Sequence, residues 1–419
     1  MKKISKGIRY LQLLLPLQLF NLLNAQLNYS GSLNPGNMYR LSDQSEISLP
    51  FRIAEAEVGY SLGDFEIKTN SAFEYRWSNN ENEFQLREAY ITWYPNWGEV
   101  KVGKQIHAWG AVDGNNPTDN LNPYDYYYMF LSGAERKVGT VSGSVKYYWK
   151  DLQIEGLFIP EHEGNRVPFG EQAFPLNIPD LRPFLIDKER GREFGFRIQT
   201  TLGSSDFSLS YFDGRDRSFT LVGYNELPNL MPSVFYRKTS VLGFDLVSFI
   251  GDFTNRFEIA HFSTKIDVNP DMLYFDNATY IQYAEQIEYT TPNDIMLSVQ
   301  LIGYILGEIS WQEIEGNRSA QTSVPELIPG MGTPFATFTD LGLSFSASAN
   351  YYDDALELMG NTFIDLKDSQ SMLGASVKYS PINNWKIKMS ISKFMGEEGT
   401  QFYNMEDFSH LKVGLEFHF

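Results

Sequence analysis

The feature that most constrains the fold of this chain is a repeated alternation of apolar and polar residues. In 65–77 and again in 411–419, one set of alternate residues is mainly apolar or aromatic and the other is mainly charged or polar. Because successive side chains of a β-strand point to opposite sides, each segment has one apolar and one polar face. Segments of about ten residues with this pattern predict strands that cross a membrane in a closed β-barrel. A soluble β-sandwich alternates in the same way, so the connections must distinguish the two folds.

Short and long connections alternate along the chain. The short ones are Gly63-Asp64, Pro95-Asn96-Trp97, Lys150-Asp151, Gly203-Ser204-Ser205, Gly251-Asp252, Pro292-Asn293, Asp353-Asp354 and Asn383-Asn384. The longer stretches include 107–139, 160–192, 214–234 and 316–335. This order places all long loops at one end of a barrel, which is typical of outer-membrane barrels with short periplasmic turns and long extracellular loops. With a first strand around 27–39, the pattern predicts an all-β antiparallel transmembrane barrel of about 18 strands, within a range of about 16 to 20.

The N-terminus has the pattern of a secretory signal. Four positive charges precede a leucine-rich stretch that ends near Ala25. A membrane-anchor helix is the alternative, but Pro16 and several polar residues interrupt a stretch already shorter than the roughly 20 apolar residues that a span requires. We therefore expect residues 1–25 to be a signal peptide and residues 26–419 to form a single transmembrane barrel domain.

Charge and composition narrow the function class. The chain has 34 Lys and Arg against 52 Asp and Glu, a net charge of -18, whereas nucleic-acid binders show a basic face. It has no cysteine, which excludes disulfides, thiolate metal sites and a lipid-modified N-terminal cysteine. The expected partners are outer-membrane lipid and lipopolysaccharide, which divalent ions could bridge to acidic outer loops. Nucleic acid is not an expected partner.

One segment carries a recognisable signature. Residues 86–126 read LREAYITWYPNWGEVKVGKQIHAWGAVDGNNPTDNLNPYDY. This resembles uncharacterised porin-like outer-membrane proteins of Gram-negative bacteria, and the matching positions are Arg87, Ala89, Tyr90, Gly103, Lys104, Gln105, Trp109, Gly110, Asp113, Pro117, Thr118, Asp119, Asn122, Pro123 and Asp125. The terminal Phe419 also resembles the C-terminal signature of barrels that the insertion machinery recognises. These resemblances imply a porin-like barrel in the cell outer membrane, with that machinery as a partner.

The loop within this segment is the predicted constriction. Residues 109–128 are rich in Asp, Asn and Pro, which form tight turns and predict an ordered loop. A long ordered loop that folds into a barrel narrows the passage, although the same residues could simply fix the loop without contacting solute. Calcium is a further alternative, because Asp113, Asp119 and Asp125 are hard oxygen ligands, but their spacing is not that of an EF-hand.

Charges of both signs alternate on the predicted inner faces. They could orient solutes in a water-filled passage, or they could pair across strands and only stabilise the wall. The candidate residues for lining or narrowing the passage are Lys68, Arg76, Arg87, Lys101, Gln105, His107, Trp109, Asp113, Asp119, Asp125, Arg256, Lys386 and Lys388.

The sequence thus favours a passive porin-like channel for small or extended solutes. The alternatives are a plugged conduit for lipid or apolar compounds and an outer-membrane scaffold or binding barrel. An enzyme is not expected, because the chain has five histidines, none spaced as a metal pair, and no G-x-S-x-G elbow. No cofactor is expected, and a homo-oligomer is compatible with the porin class.

Overall fold

A computed structural model describes residues 25–131, 133–175, 178–185, 191–225, 231–267, 277–310, 327–334 and 338–419. The predicted signal peptide lies outside the described residues except for Ala25, where the first strand begins. Within the described part, no helix has the length and the apolar character that crossing a membrane requires.

The described residues form strands joined by short turns and long loops. The strands are β1 (Ala25–Leu33), β2 (Gly36–Arg40), β3 (Phe51–Leu62), β4 (Phe65–Tyr75), β5 (Asn82–Trp93), β6 (Gly98–Gln105), β7 (Thr140–Trp149), β8 (Leu152–Ile159), β9 (Glu193–Leu202), β10 (Ser205–Arg215), β11 (Thr220–Asn225), β12 (Met231–Phe235), β13 (Lys238–Ile250), β14 (Phe253–Lys265), β15 (Asn277–Thr290), β16 (Ile295–Ser310), β17 (Leu341–Tyr351), β18 (Leu356–Asp365), β19 (Gln370–Ile382), β20 (Trp385–Gly396) and β21 (His410–His418). Single-turn helices lie at Tyr126–Tyr128, Gly133–Arg136, Arg182–Phe184, Gln401–Asn404 and Glu406–Phe408.

Nineteen of these strands form one closed antiparallel sheet, and β11 and β12 form a separate hairpin. Neighbouring strands pair in chain order from β3 to β21, and β21 pairs with both β1 and β2 to close the barrel. Because β1 and β2 are two halves of one crossing, the described wall has 18 crossings. The fold prediction is therefore confirmed.

The first crossing differs from the prediction of a continuous strand around 27–39. It is broken at Asn34 and Pro35, after which β2 pairs with β21 only. Proline has no N–H to donate to a sheet, so a strand tends to end beside it. The Asn34 N–H still donates to the Ile53 carbonyl, and the Pro35 carbonyl accepts from Leu415 N–H, so the wall stays hydrogen-bonded at the break.

All eight predicted short connections join paired neighbouring strands. Several contain a residue in the left-handed region, including Gly63 (φ 57°), Lys150 (φ 56°), Gly251 (φ 61°) and Asn384 (φ 70°). That conformation closes a tight hairpin with the twist that the flanking strands require. The chain ends on the same side, where Gly31 and the terminal Phe419 exchange two backbone hydrogen bonds of 3.1 Å.

The outer surface is an apolar belt with aromatic residues at the short-turn end. Alternate side chains along the strands, such as Ile67, Val102 and Leu242, are large, apolar and exposed. Near the short turns, the ring centroids of Trp93 and Trp97 lie 6.1 Å apart, and those of Trp385 and Phe417 lie 4.9 Å apart. Aromatic rings favour the interface between membrane and water because they are partly apolar and partly polar.

The long-loop half of the barrel interior contains two apolar clusters. The first joins inward side chains of β8 to β15, among them Leu157, Phe212 and Phe262, to loop residues such as Trp109 and Met331. The second joins inward side chains of β3, β16 and β18 to β20, including Phe51, Phe363 and Phe394, to the loops at 47–49 and 402–408 and to Met129 of the loop between β6 and β7. The loops therefore fold into the barrel instead of extending away from it.

Candidate functional site

The inward loop, which we define as residues 106–139 between β6 and β7, crosses the interior of the barrel. Most of its side chains between Trp109 and Tyr128 are buried. Its polar groups bond to inward side chains of distant strands, from Arg52 on β3 to Gln300 on β16. A loop that contacts so much of the inner wall occupies part of the cross-section of the barrel.

Glu258 on β14 is the main anchor of the inward loop. Its carboxylate is 0% exposed and accepts five hydrogen bonds, from the N–H groups of Ala111 (2.5 Å), Val112 (2.8 Å) and Thr118 (3.2 Å), the Thr118 hydroxyl (2.8 Å) and the Asn116 amide (3.1 Å). Gly110 has φ 92°, and a Cβ there would meet a Glu258 carboxylate oxygen at 2.5 Å. The loop is thus folded closely around one wall carboxylate.

Further side chains of the wall complete the anchoring. Gln286 on β15 accepts from Asp113 N–H (2.7 Å) and donates to the Asp113 carboxylate (2.9 Å). Gln300 on β16 accepts from the Asn115 amide at 2.9 Å. On the opposite side, the Trp109 indole N–H donates to Glu155 of β8 at 3.1 Å. Hydrogen bonds to buried partners hold each of these groups at a fixed place because leaving one unsatisfied is costly.

The two ends of the inward loop are held together by Asn122 and Lys137. The Asn122 amide donates to the carbonyls of Gln105 (2.9 Å) and Val138 (3.0 Å), and its oxygen accepts from His107 N–H (2.6 Å). Lys137 forms a buried ion pair with Asp119 and donates to the His107 carbonyl at 2.9 Å. These bonds fix the two ends of the Asp-, Asn- and Pro-rich segment to each other.

His107 is a structural residue of this arrangement. Its Nε2 lies 2.9 Å from the Ser142 hydroxyl, and its side chain is buried. Burial, and to a smaller extent the nearby charge of Lys137, lower the pKa of His107 to about 3. The imidazole is therefore neutral at pH 7, and it is enclosed between the inward loop and β7.

A network of buried charges joins the inward loop to β3, β4 and β5. Asp125 accepts from Arg52 (3.3 Å) and Arg166 (2.9 Å), and Arg166 also binds Glu74 through two hydrogen bonds. Arg87 pairs with Glu135 of the loop at 3.2 Å. Arg76 pairs with Glu171 at 2.6 Å, which ties the loop after β8 to the same end of β4.

Beside this network lies an open cavity of about 340 Å³ lined by Pro50, Glu74, Tyr75, Arg76, Glu81, Asn82, Glu83, Tyr127 and Arg166. Its two arginines already bind carboxylates of the chain. The cavity therefore has a polar rim, but both of its arginines are already paired and do not offer a free cation to an acidic solute.

The inner wall nearer the short turns carries paired charges. Lys68 lies 2.9 Å from Glu57, Lys101 lies 3.3 Å from Glu99, and Arg256 lies 3.3 Å from Glu288. On β20, Lys386 lies 3.0 Å from Glu357 and Lys388 pairs with Glu416. Cation and carboxylate come from neighbouring strands in most of these pairs, so the wall is stabilised by cross-strand attraction.

The structure sorts the thirteen candidate residues into three groups. Those on the inner wall with partial exposure are Lys68, Lys101, Arg256, Lys386 and Lys388. Those buried between the inward loop and the wall are Arg87, Gln105, His107, Trp109, Asp119 and Asp125. Arg76 is half-buried at the boundary of the loops, and Asp113 is exposed. The second group contacts the loop and is enclosed between the loop and the wall.

The three aspartates of the calcium alternative are not brought together. Asp113 bonds to Gln286, Asp119 to Lys137, and Asp125 to two arginines. Among the described residues, no group of three or more His, Asp or Glu side chains could hold a metal ion. The partners of Asp119 and Asp125 are cations, which neutralise the charge that a calcium site would use.

Two functional contacts are absent from the sequence prediction. Arg166 joins the inward loop to β4, and Arg217 binds the Asn120 and Leu121 carbonyls of the same loop. Both arginines lie in long loops far from the inward loop along the chain, where neither alternation nor turn chemistry gives a signal.

Comparisons with known proteins agree with the barrel. No family model matches the chain, and no curated protein matches it. Solved structures of outer-membrane porins are similar in fold. A BenF-like porin from Pseudomonas fluorescens has 11% identity and a TM-score of 0.54 over 94% of this chain and 98% of that chain. OpdK from Pseudomonas aeruginosa has 9% identity and a TM-score of 0.54 over 94% and 99%, and OccK2 from the same organism has 9% identity and a TM-score of 0.53 over 94% and 97%. At these identities, the likeness shows the shared fold alone.

Proposed function

We propose that this chain is an outer-membrane channel through which small solutes pass passively, in a water-filled lumen narrowed by the inward loop. The observation that carries the proposal is an asymmetry of the inner wall. Inward side chains behind the loop are enclosed, such as Glu258 at 0% exposed, whereas the inward Met359 of β18 is 50% exposed. In the short-turn half of the barrel, the passage therefore runs between the inward loop and the wall formed by β17 to β21. Nearer the long loops, Phe130 of the inward loop contacts Phe394 of β20, with ring centroids 5.7 Å apart.

The lining of that wall suits a polar solute. Ser344, Ser346 and Ser348 of β17 share the inward face with Met359, as do Ser390 and Ser392 of β20. Small hydroxyl side chains leave space and offer both donors and acceptors to water or to a solute. With the paired charges nearby, this lining favours hydrated solutes over lipid.

A plugged conduit for apolar compounds is the second candidate. The two apolar clusters in the long-loop half of the barrel favour it, because they bring Phe338, Phe402 and Phe408 into the interior. A barrel whose lumen is closed by these clusters would conduct no ions. A scaffold or binding barrel would behave in the same way, so one measurement separates the channel from both.

The test is single-channel conductance of the refolded mature chain, residues 26–419, in a planar bilayer. We expect steady, ohmic conductance that increases when the loop 109–128 is shortened. Folding is checked by the shift in gel mobility on heating, which distinguishes an intact barrel from an unfolded chain. A folded barrel that conducts no current would contradict the channel and favour the plugged conduit or the scaffold.

Partners remain part of the proposal. Acidic outer loops are expected to bind lipopolysaccharide through divalent ions, and the exposed Phe419 ring, 53% accessible, is expected to be recognised by the insertion machinery. Removal of residues 1–25 by signal peptidase is expected on export, and mass spectrometry of the protein from outer membranes would identify the new N-terminus.

A further inference from the structure

Lys412 of β21 is unusual among the cations of the lumen. Its side chain shares the inward face of the barrel with Glu416 and lies opposite Ser390 of β20 and Met38 of β2. In the described strands, the other Lys and Arg side chains that point inward each lie within 4.0 Å of a carboxylate, whereas no carboxylate of the described residues lies within that distance of Lys412.

The surroundings of Lys412 offer no substitute for a counter-ion. Its ammonium group lies 5.5 Å from the centre of the Phe51 ring, which gives a weak cation–π contact. The nearest charge on the adjacent strand is Lys388, which repels it and is already paired with Glu416. An ammonium group without a carboxylate partner is costly away from bulk water, so this position attracts an anion.

The position of Lys412 is also on the side of the barrel where solutes would pass. It lies on the wall formed by β17 to β21, on the short-turn side of the place where Phe130 of the inward loop contacts Phe394 of β20. The hydroxyl groups of Ser390 and Ser392 lie on the same inward face of the adjacent strand. An ammonium group with neighbouring hydroxyl donors is the kind of site that binds a small oxyanion.

We propose that Lys412 is an anion-binding residue of the lumen, which holds a small anion such as a carboxylate briefly as it crosses. The inference rests on the channel function proposed above and adds a specificity-determining residue to it. It also implies that selectivity does not follow from the net charge of -18, because a single unpaired cation in the passage acts at short range while acids in outer loops are screened by salt.

The test is the reversal potential of Lys412→Gln barrels in a gradient of potassium chloride and then of potassium acetate. We expect the anion-to-cation permeability ratio to fall at least about fourfold, because a unit charge about 5 Å from the path in water changes the occupancy of a monovalent anion about fourfold and that of a cation in the opposite sense. Lys412→Arg, which keeps the charge, should retain the wild-type ratio. Lys393→Gln is the matched control, because it makes the same change of net charge on the outward face of β20.

The outcomes are distinguishable. If wild-type and variant barrels fold but none conducts, the channel function itself is wrong. If all of them conduct and Lys412→Gln has the same reversal potential as wild type in both salts, the channel stands and the role of Lys412 is overturned. An equal shift in Lys412→Gln and Lys393→Gln would also overturn it, because net charge would then explain the result.

Discussion

Glu258→Gln is expected to release the inward loop and increase single-channel conductance. The substitution keeps the size of the side chain but places an amide N–H₂ where five donors converge on a carboxylate. Each buried donor left without an acceptor costs about 1–3 kcal/mol, and several would be left at once. The loop should therefore leave its position against β14 for part of the time, which would appear as larger and noisier current steps.

Glu285→Gln is the matched control for this prediction. Glu285 lies on the neighbouring strand β15, points to the outside and is exposed, so the same chemical change there does not touch the loop. Both variants should fold, because the sheet hydrogen bonds of β14 and β15 are unaltered. Identical conductance and noise in wild type and Glu258→Gln would show that the loop does not limit the current.

Arg217→Met is expected to destabilise the protein by about 3–5 kcal/mol, the usual cost of leaving a buried charge without its partner. Arg217 is 3% exposed and donates to Glu193 at 2.8 and 3.0 Å and to the carbonyls of Asn120 and Leu121. Without it, the fully buried Glu193 keeps only His162 and the Arg215 N–H as partners. The measurement is the urea midpoint for unfolding from lipid vesicles.

Two further variants identify the cause of that loss. Arg182→Met removes an arginine whose ion pair with Asp180 is exposed, and exposed pairs contribute little to stability. The double variant Arg217→Met with Glu193→Gln should recover part of the stability, because the unpaired buried charge is removed. If Arg217→Met unfolds at the same urea concentration as Arg182→Met, the buried pair does not hold the loops together.

The barrel could be predicted because the sequence features that determine it, alternation and turn residues, lie within short stretches of the chain. Alternation fixes which side chains of a strand face lipid, and turn residues such as Gly63, Gly251 and Asn384 mark where each hairpin reverses. The break at Pro35 is also a local effect, but the prediction of a strand around 27–39 did not take account of it. Pro35 lies where the first and last strands close the barrel. The first crossing splits there, so that β1 pairs with β3 and β2 pairs with β21.

The site was predicted only in part, because its contacts are distant along the chain. The order of the loop 109–128 follows from its Asp, Asn and Pro residues, but its attachment to Glu258 joins positions more than 130 residues apart. Alternation correctly placed Gln105 on the inward face of β6, yet Gln105 is covered by the loop and donates to the Ser142 carbonyl. Whether an inward residue faces water or a loop depends on the packing of other segments.

The pairing of charges in the lumen also depends on contacts between different strands. The sequence shows that Lys388 and Lys412 face the lumen, but not which of them has a carboxylate within reach. Glu416 is four residues from Lys412 on β21, whereas Lys388 lies on β20 opposite Gly414, two residues before Glu416. The structure pairs Glu416 with Lys388. Pairing depends on cross-strand register, which shifts with every bulge, so it cannot be obtained from spacing within a strand.

The measurement that tests the central claim most directly is thiol block of the passage. The chain has no cysteine, so Met359→Cys introduces a single thiol at the exposed inward position of β18, and Leu358→Cys places one on the outward face beside it. We expect a charged, membrane-impermeant methanethiosulfonate to reduce the conductance of Met359→Cys channels and to leave Leu358→Cys and wild type unchanged. A Met359→Cys barrel that is shown by mass to be modified but conducts as before would contradict a passage along this wall.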